Sequence, residues 1–90
     1  MPIFIVSNKA KKSLEILPHE VQERILDKLR ELKNHPDIFS ALKLLKNMGS
    51  PTYRLRVGNY RLLLCRAFSD ASEIIFDITK IGHRKDIYSS

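Results

Sequence analysis

The sequence predicts an α+β domain: a short N-terminal strand, a two-helix hairpin, then a three-stranded antiparallel meander and a short C-terminal tail. Three observations predict it. "PIFIV" at 2–6 is a β-branched and aromatic run. Apolar residues then recur at helical spacing from Ala10 to Leu32. At Tyr53 the pattern switches to period two, and "GN" at 58–59 separates two strand-like segments, a two-residue hairpin signal. Strand, helices and meander in this order place the helices on one face of a small, mostly antiparallel sheet.

Each element has a local cause. Ser7 or Asn8 can cap the first helix. Ala10, Leu14 and Leu17 form one apolar stripe, and Val21, Ile25, Leu29 and Leu32 another. Pro18 lies between them, suited to a helix start and ill suited to an interior. The two helices are therefore expected at about 8–17 and 18–34, with Glu20 and Arg24 facing each other one turn apart. "NHPD" at 34–37 ends the second, because the residue before Pro36 resists helical angles. Residues 38–48, "IFSALKLLKNM", are densely apolar and read as a short irregular helix. "GSP" at 49–51 breaks the chain. Strands are expected from Tyr53, from Tyr60 to about Ala67, and at 73–81, with a turn at "SDAS" and a break at Gly82.

The hairpin fixes a register. With the turn at Gly58-Asn59, Val57 opposes Tyr60, Arg56 opposes Arg61, Leu55 opposes Leu62 and Arg54 opposes Leu63. Opposed residues project to one side. Tyr53, Leu55, Val57, Tyr60, Leu62 and Leu64 make a core face, and Arg54, Arg56 and Arg61 share the other with Leu63 and Cys65. Opposed like charges such as Arg56 and Arg61 destabilise a sheet. Two readings of them stand: side chains leaning apart into water, or a phosphate site. Guanidinium forks hold phosphate oxygens bidentately and keep their charge at any working pH.

Composition bounds the function. Ninety residues make one domain, taken as 1–90, with one modest core. The net charge of +6 favours polyanionic partners, nucleic acid first. No apolar run approaches the roughly 20 residues of a membrane span. The apolar N-terminus lacks the basic leader of a secretory signal. Cys65 is the only cysteine, so it forms no internal disulfide and anchors no zinc site alone. It reads as a small apolar strand residue. A cytoplasmic protein with no cofactor and no metal is the expectation. His19 and His35 read as cap or surface residues. Lys9, Lys11 and Lys12 read as a solvated helix face or a basic contact to a nucleic-acid partner.

The tail "GHRKDIYSS" at 82–90 joins the arginine face to a group that titrates near neutrality, His83, a fixed cation, Arg84, and an aromatic hydroxyl, Tyr88. Together these are phosphate clamps, a proton-transfer group and a ring on which a base can stack.

"YRLRVGNYRLLL" followed by "IGHRKDIY", with the lead-in "ALKLLKNMGSPTYR", resembles the RelE family of the RelE/ParE toxin–antitoxin superfamily along nearly the whole chain. The resemblance implies a RelE-like microbial-ribonuclease-type fold. It implies a toxin that enters the ribosomal A site and cuts mRNA without a metal, the RNA 2′-hydroxyl attacking the adjacent phosphate, so that translation halts. It implies a cognate antitoxin encoded by an adjacent gene, and an antitoxin complex that binds operator DNA. Carried over by position, Arg61, His83, Arg84 and Tyr88 are catalytic, and Arg54, Arg56 and Lys85 bind substrate. One branch of the family has lysines where this chain has Arg54 and Arg56. Arginine cannot serve as a conventional base. His83 is then the physically sensible base or acid, with Tyr88 as its partner, and the neighbouring arginines favour its neutral form. Two alternatives remain: a ParE-like toxin that poisons gyrase, against which the tail argues, and a non-enzymatic basic nucleic-acid-binding module.

Overall fold

In a computed structural model that describes residues 2–45, 51–67 and 73–87, the chain forms one five-stranded sheet with helices on one face. The elements are β1 (Ile3–Val6), α1 (Asn8–Glu15), α2 (His19–Lys33), α3 (Ile38–Ala41), β2 (Lys43–Leu45), β3 (Thr52–Val57), β4 (Tyr60–Ala67) and β5 (Ile75–His83). The sheet order is β1-β5-β4-β3-β2. The β3–β4–β5 meander is antiparallel, as expected, but it is only the centre of the sheet. β1 adds in parallel to β5, and β2 adds antiparallel to β3.

The helix starts follow their capping chemistry. Ser7 Oγ accepts from the Ala10 N–H at 3.1 Å and closes the first turn of α1. Pro18 is the N-cap of α2, and its carbonyl accepts from the Val21 and Gln22 N–H groups. The Gln22 side chain donates to Leu17 O at 2.9 Å and Glu15 O at 3.2 Å, tying α2 back to the end of α1. Ion pairs on α2 join Lys28 to Glu31 and Arg30 to Asp27, and His19 Nδ1 lies 3.7 Å from Glu23; none of these joins Glu20 to Arg24. All involve exposed carboxylates, where such pairs contribute little.

Ala10 of α1 and Ile25, Leu29 and Leu32 of α2 pack on Leu55, Leu62, Leu64, Phe76, Ile78 and Ile81. Tyr53 and Val57 join at the margin. Phe4, Phe39, Tyr53 and Phe76 form an aromatic group with centroids 5.7–5.9 Å apart. Tyr60 departs from the expected core row: it is half-buried at the end of the face, with its ring against His83.

Two local expectations are corrected. The helix expected over 38–48 stops at Ala41, and Lys43–Leu45 leaves it as edge strand β2; 46–48 lie outside the described residues. Leu42 is extended at the junction and buries its side chain, which turns the chain from helix to strand. Gly82 does not break the meander, since β5 runs through it to His83 and Gly82 pairs with Arg61. The expected "SDAS" turn lies outside the described residues. The β4–β5 register shifts between Leu63 and Leu64, leaving Thr79 without a ladder partner; its hydroxyl donates to Leu63 O at 3.3 Å.

Candidate functional site

The register expected from Gly58-Asn59 is the observed one: Val57↔Tyr60, Arg56↔Arg61, Leu55↔Leu62 and Arg54↔Leu63. Gly58 takes φ 61°, the left-handed conformation that the tight turn demands and glycine supplies without steric cost. The helices cover the face that carries Leu55, Leu62 and Leu64. The opposite face carries cations in two cross-strand rows. One row is Lys43, Arg54, Leu63 and Lys80, and the next is Arg56, Arg61 and Gly82. Two like-charged pairs, Lys43 with Arg54 and Arg56 with Arg61, thus stand directly opposed on one face.

The arginines differ in surroundings. Arg56 is exposed and Arg54 is half-buried. The Arg54 Nε is shielded from solvent and has no hydrogen-bond partner among the described residues. Arg61 is only 6% exposed. Its Nη1 donates to Gly58 O at 2.8 Å and Tyr60 O at 2.9 Å, bracing the hairpin turn from within. Placing a glycine opposite Arg61 leaves room beside the guanidinium stem, and the space is filled by the tail. A Cβ built on Gly82 would stand 3.4 Å from Ile87 Cδ1.

Ile87 is the residue that sequence reasoning passed over. It is 2% exposed, and with Leu63 it is buried outside the main core cluster. The signal was available: one large apolar residue inside an otherwise polar tail. The Asp86 and Ile87 N–H groups donate to His83 O at 2.9 and 3.0 Å, so the chain turns back on itself directly after β5. The Arg84 N–H donates to Asn59 O at 2.8 Å and holds the start of this turn beside the hairpin tip. Arg84 and Lys85 are exposed.

His83 pairs with Tyr60 and so projects to the helix side of the sheet, whereas Arg61 and Gly82 project to the other. Its ring meets Tyr60 edge-on, with centroids 5.4 Å apart. Nδ1 accepts from the Lys85 N–H at 3.2 Å. That bond requires an unprotonated Nδ1, so the neutral ring carries its proton on Nε2. Structure therefore brings Arg56, Arg61 and the Arg84 backbone to one end of the meander and sets His83 at the same end on the other side. Tyr88 lies outside the described residues.

The remaining candidates sit as expected. Cys65 is half-buried in β4, with Sγ 3.8 Å from Thr52 Oγ1. His35 Nδ1 accepts from the Asp37 N–H at 3.0 Å in the loop after α2, and His19 is exposed at the start of α2. Lys9, Lys11 and Lys12 are exposed on α1. Among the described residues, no helix is long and apolar enough to cross a membrane.

Fold and site together define a small α+β domain with a cationic sheet face opposite its helices. The chain belongs to the RelE/ParE superfamily of type II toxin–antitoxin toxins: the family model for the ParE toxin of the type II toxin–antitoxin system parDE matches residues 4–88. Among solved structures, a chain of the RelB–RelE antitoxin–toxin complex from Methanococcus jannaschii is 30% identical, with a TM-score of 0.62 over 93% of this chain and 94% of that one. The toxin–antitoxin complex RelBE2 of Mycobacterium tuberculosis gives 23% identity and a TM-score of 0.73, covering 91% of this chain and 96% of the other. The archaeal RelE–RelB complex of Pyrococcus horikoshii gives 23% and 0.69, covering 93% and 96%. No curated protein matches the chain significantly.

Proposed function

We propose that this type II toxin is a ribosome-dependent endoribonuclease that cuts mRNA in the A site and thereby inhibits translation. The observation that carries this reading is the Arg56–Arg61–Gly82 row, with Arg84 tied by its backbone to the adjoining hairpin turn. Cleavage of an RNA linkage needs charge around one phosphate, and fixed guanidinium groups supply it at low reorganisation cost. Arg61 and Arg84 neutralise the scissile phosphate, and Arg54, Arg56 and Lys85 grip the neighbouring backbone. The RNA 2′-oxygen bonds to phosphorus and the bond from phosphorus to the 5′-oxygen breaks. The 2′-hydroxyl proton passes to a base, and the leaving oxygen takes one from an acid. The products are a 2′,3′-cyclic phosphate and a 5′-hydroxyl, and no step requires a metal.

His83 and Tyr88 carry the protons. The Lys85 N–H contact at His83 Nδ1 sets a resting tautomer whose Nε2–H donates. Proton uptake by the ring requires that contact to open, so the turn at 84–87 and the acid–base chemistry are linked. A positioned acid or base contributes roughly 10²–10⁴-fold. The partners that follow from this reading are the ribosome and mRNA, an antitoxin from a neighbouring gene, and operator DNA reached through the antitoxin complex. Its place of action is the cytoplasm.

A second reading has one observation in its favour: the matching family model is that of the ParE toxins, which are not ribonucleases. In that reading the same cationic face contacts gyrase. Primer extension on mRNA from cells expressing the chain separates the two. Codon-phased cuts support the ribonuclease, and intact mRNA with stalled replication supports the gyrase poison.

A further inference from the structure

β2 pairs with only the first half of β3: its register runs from Leu45↔Thr52 to Lys43↔Arg54 and then ends. Beyond that point a cavity of about 320 Å³ opens between α2, the α3 region and the edge of β3. Four cations line it: Lys28 from α2, Lys43 from β2, and Arg54 and Arg56 from β3. Ser40, Ala41, Leu42 and Leu55 complete the wall. Nothing in the sequence pattern joins Lys28 to this group, because it lies on a helix far from the hairpin in the chain.

Three features point to a ligand. Lys43 and Arg54 are directly opposed across the strands, an arrangement that costs stability unless an anion lies between the charges. The Arg54 Nε is shielded from solvent and lacks an acceptor among the described residues. Lys28 has only a 3.5 Å contact to the exposed Glu31, a weak tether that an incoming anion can replace. Carboxylates are present in the adjoining groove, where Asp27 and Glu31 stand beside Arg24, Lys28 and Arg56. Asp27 is engaged by Arg30 at 2.8 Å.

We propose that this cavity is a second phosphate seat, in which Lys28 and Lys43 join Arg54 and Arg56 to hold a backbone phosphodiester of a single-stranded RNA flanking the linkage that is cut. The occupant follows from continuity. Arg56 lines the cavity and is also the cross-strand partner of Arg61, so one strand of RNA can run from the seat to the catalytic row. The substrate assignment rests on the ribonuclease reading above, while the seat itself rests on the cavity.

The test uses the full chain and a short RNA made uncleavable by 2′-deoxy substitution, with affinity measured against potassium chloride concentration. For single strands, log affinity changes by about 0.7 per decade of salt for each phosphate contact. Lys28→Ala/Lys43→Ala should therefore flatten the slope by about 0.7, equivalent to roughly 5-fold of the affinity gained between 1 M and 0.1 M salt. Arg30→Ala/Lys33→Ala removes the same formal charge from exposed positions of α2 outside the cavity and should leave the slope near that of the unaltered chain. Equal slopes for the two double variants overturn the seat. So does a Lys28→Ala/Lys43→Ala variant that binds the RNA normally but loses an acidic protein partner. If the unaltered chain cleaves ribosome-bound mRNA and the cavity variant does so with unchanged KM, the seat is wrong and the ribonuclease reading stands. If the unaltered chain cleaves no mRNA yet the slopes differ as expected, the ribonuclease reading fails and the seat stands.

Discussion

Replacing Ile87 with alanine should release the tail without unfolding the domain. The side chain is 2% exposed, and its Cδ1 lies 3.4 Å from where a Cβ on Gly82 would stand, beneath the turn that carries Arg84 and Lys85. Truncation removes three carbons from a buried position, worth about 0.8 kcal/mol each, or about 2.4 kcal/mol. Hydrogen bonds also hold the turn, among them Arg84 N–H to Asn59 O, Lys85 N–H to His83 Nδ1, and the Asp86 and Ile87 N–H groups to His83 O. The contact lies outside the main core cluster, so its loss falls on a local opening rather than on the global transition. At 1.36 kcal/mol per decade, the open population rises about 50-fold. Amide hydrogen exchange reads this directly. The amides of residues 86 and 87 should exchange about 50-fold faster, while those of Leu62 and Leu64 in the centre of the sheet keep their protection. Exchange at 86 and 87 within about threefold of the unaltered chain would refute the latch. Equal acceleration at Leu62 and Leu64 would show that Ile87 belongs to the global core.

Two further substitutions separate framework from chemistry. Arg61→Ala deletes two bonds from a cation to turn carbonyls in a buried site and should cost about 2 kcal/mol or more, lowering Tm by roughly 10 °C in a domain this size; a shift under about 2 °C would mean that the guanidinium does not brace the hairpin. His83→Asn retains an acceptor near the position of Nδ1 for the Lys85 N–H but has no proton to exchange. Both His83→Asn and His83→Ala should lose about 10²–10⁴-fold in cleavage rate if the imidazole moves protons. Near-normal cleavage by the asparagine variant would reduce His83 to a support of the turn.

What could be read from the residues followed the range of the forces involved. The β3–β4 register was legible because one glycine turn, with alternation from Tyr53 to Val57 before it and from Tyr60 to Leu62 after it, fixes it locally. The helix hairpin was legible because Ser7, Pro18 and the apolar stripes act within a few residues. β2 was not, since three residues, Lys43–Leu45, are too few to show a period beside a four-residue helix. The parallel pairing of β1 with β5 joins the two ends of the chain, and nothing local in "PIFIV" names its partner. At the candidate site, the opposed Arg56 and Arg61 followed from the turn alone. The side of the sheet taken by His83 depends on the register shift at Leu63/Leu64, which no residue pattern announced. Lys28 reaches the site only through the packing of α2 beside β3.

The central claim is that fixed cations at the end of the meander stabilise attack of an RNA 2′-oxygen on its own phosphate. Its most direct measurement uses purified protein, ribosomes programmed with mRNA, and a second mRNA carrying a single 2′-deoxynucleotide at the cut site. The account predicts a codon-phased fragment ending in a 2′,3′-cyclic phosphate from the first message and an intact second message. Cleavage of the deoxy-substituted message at the same position would contradict it.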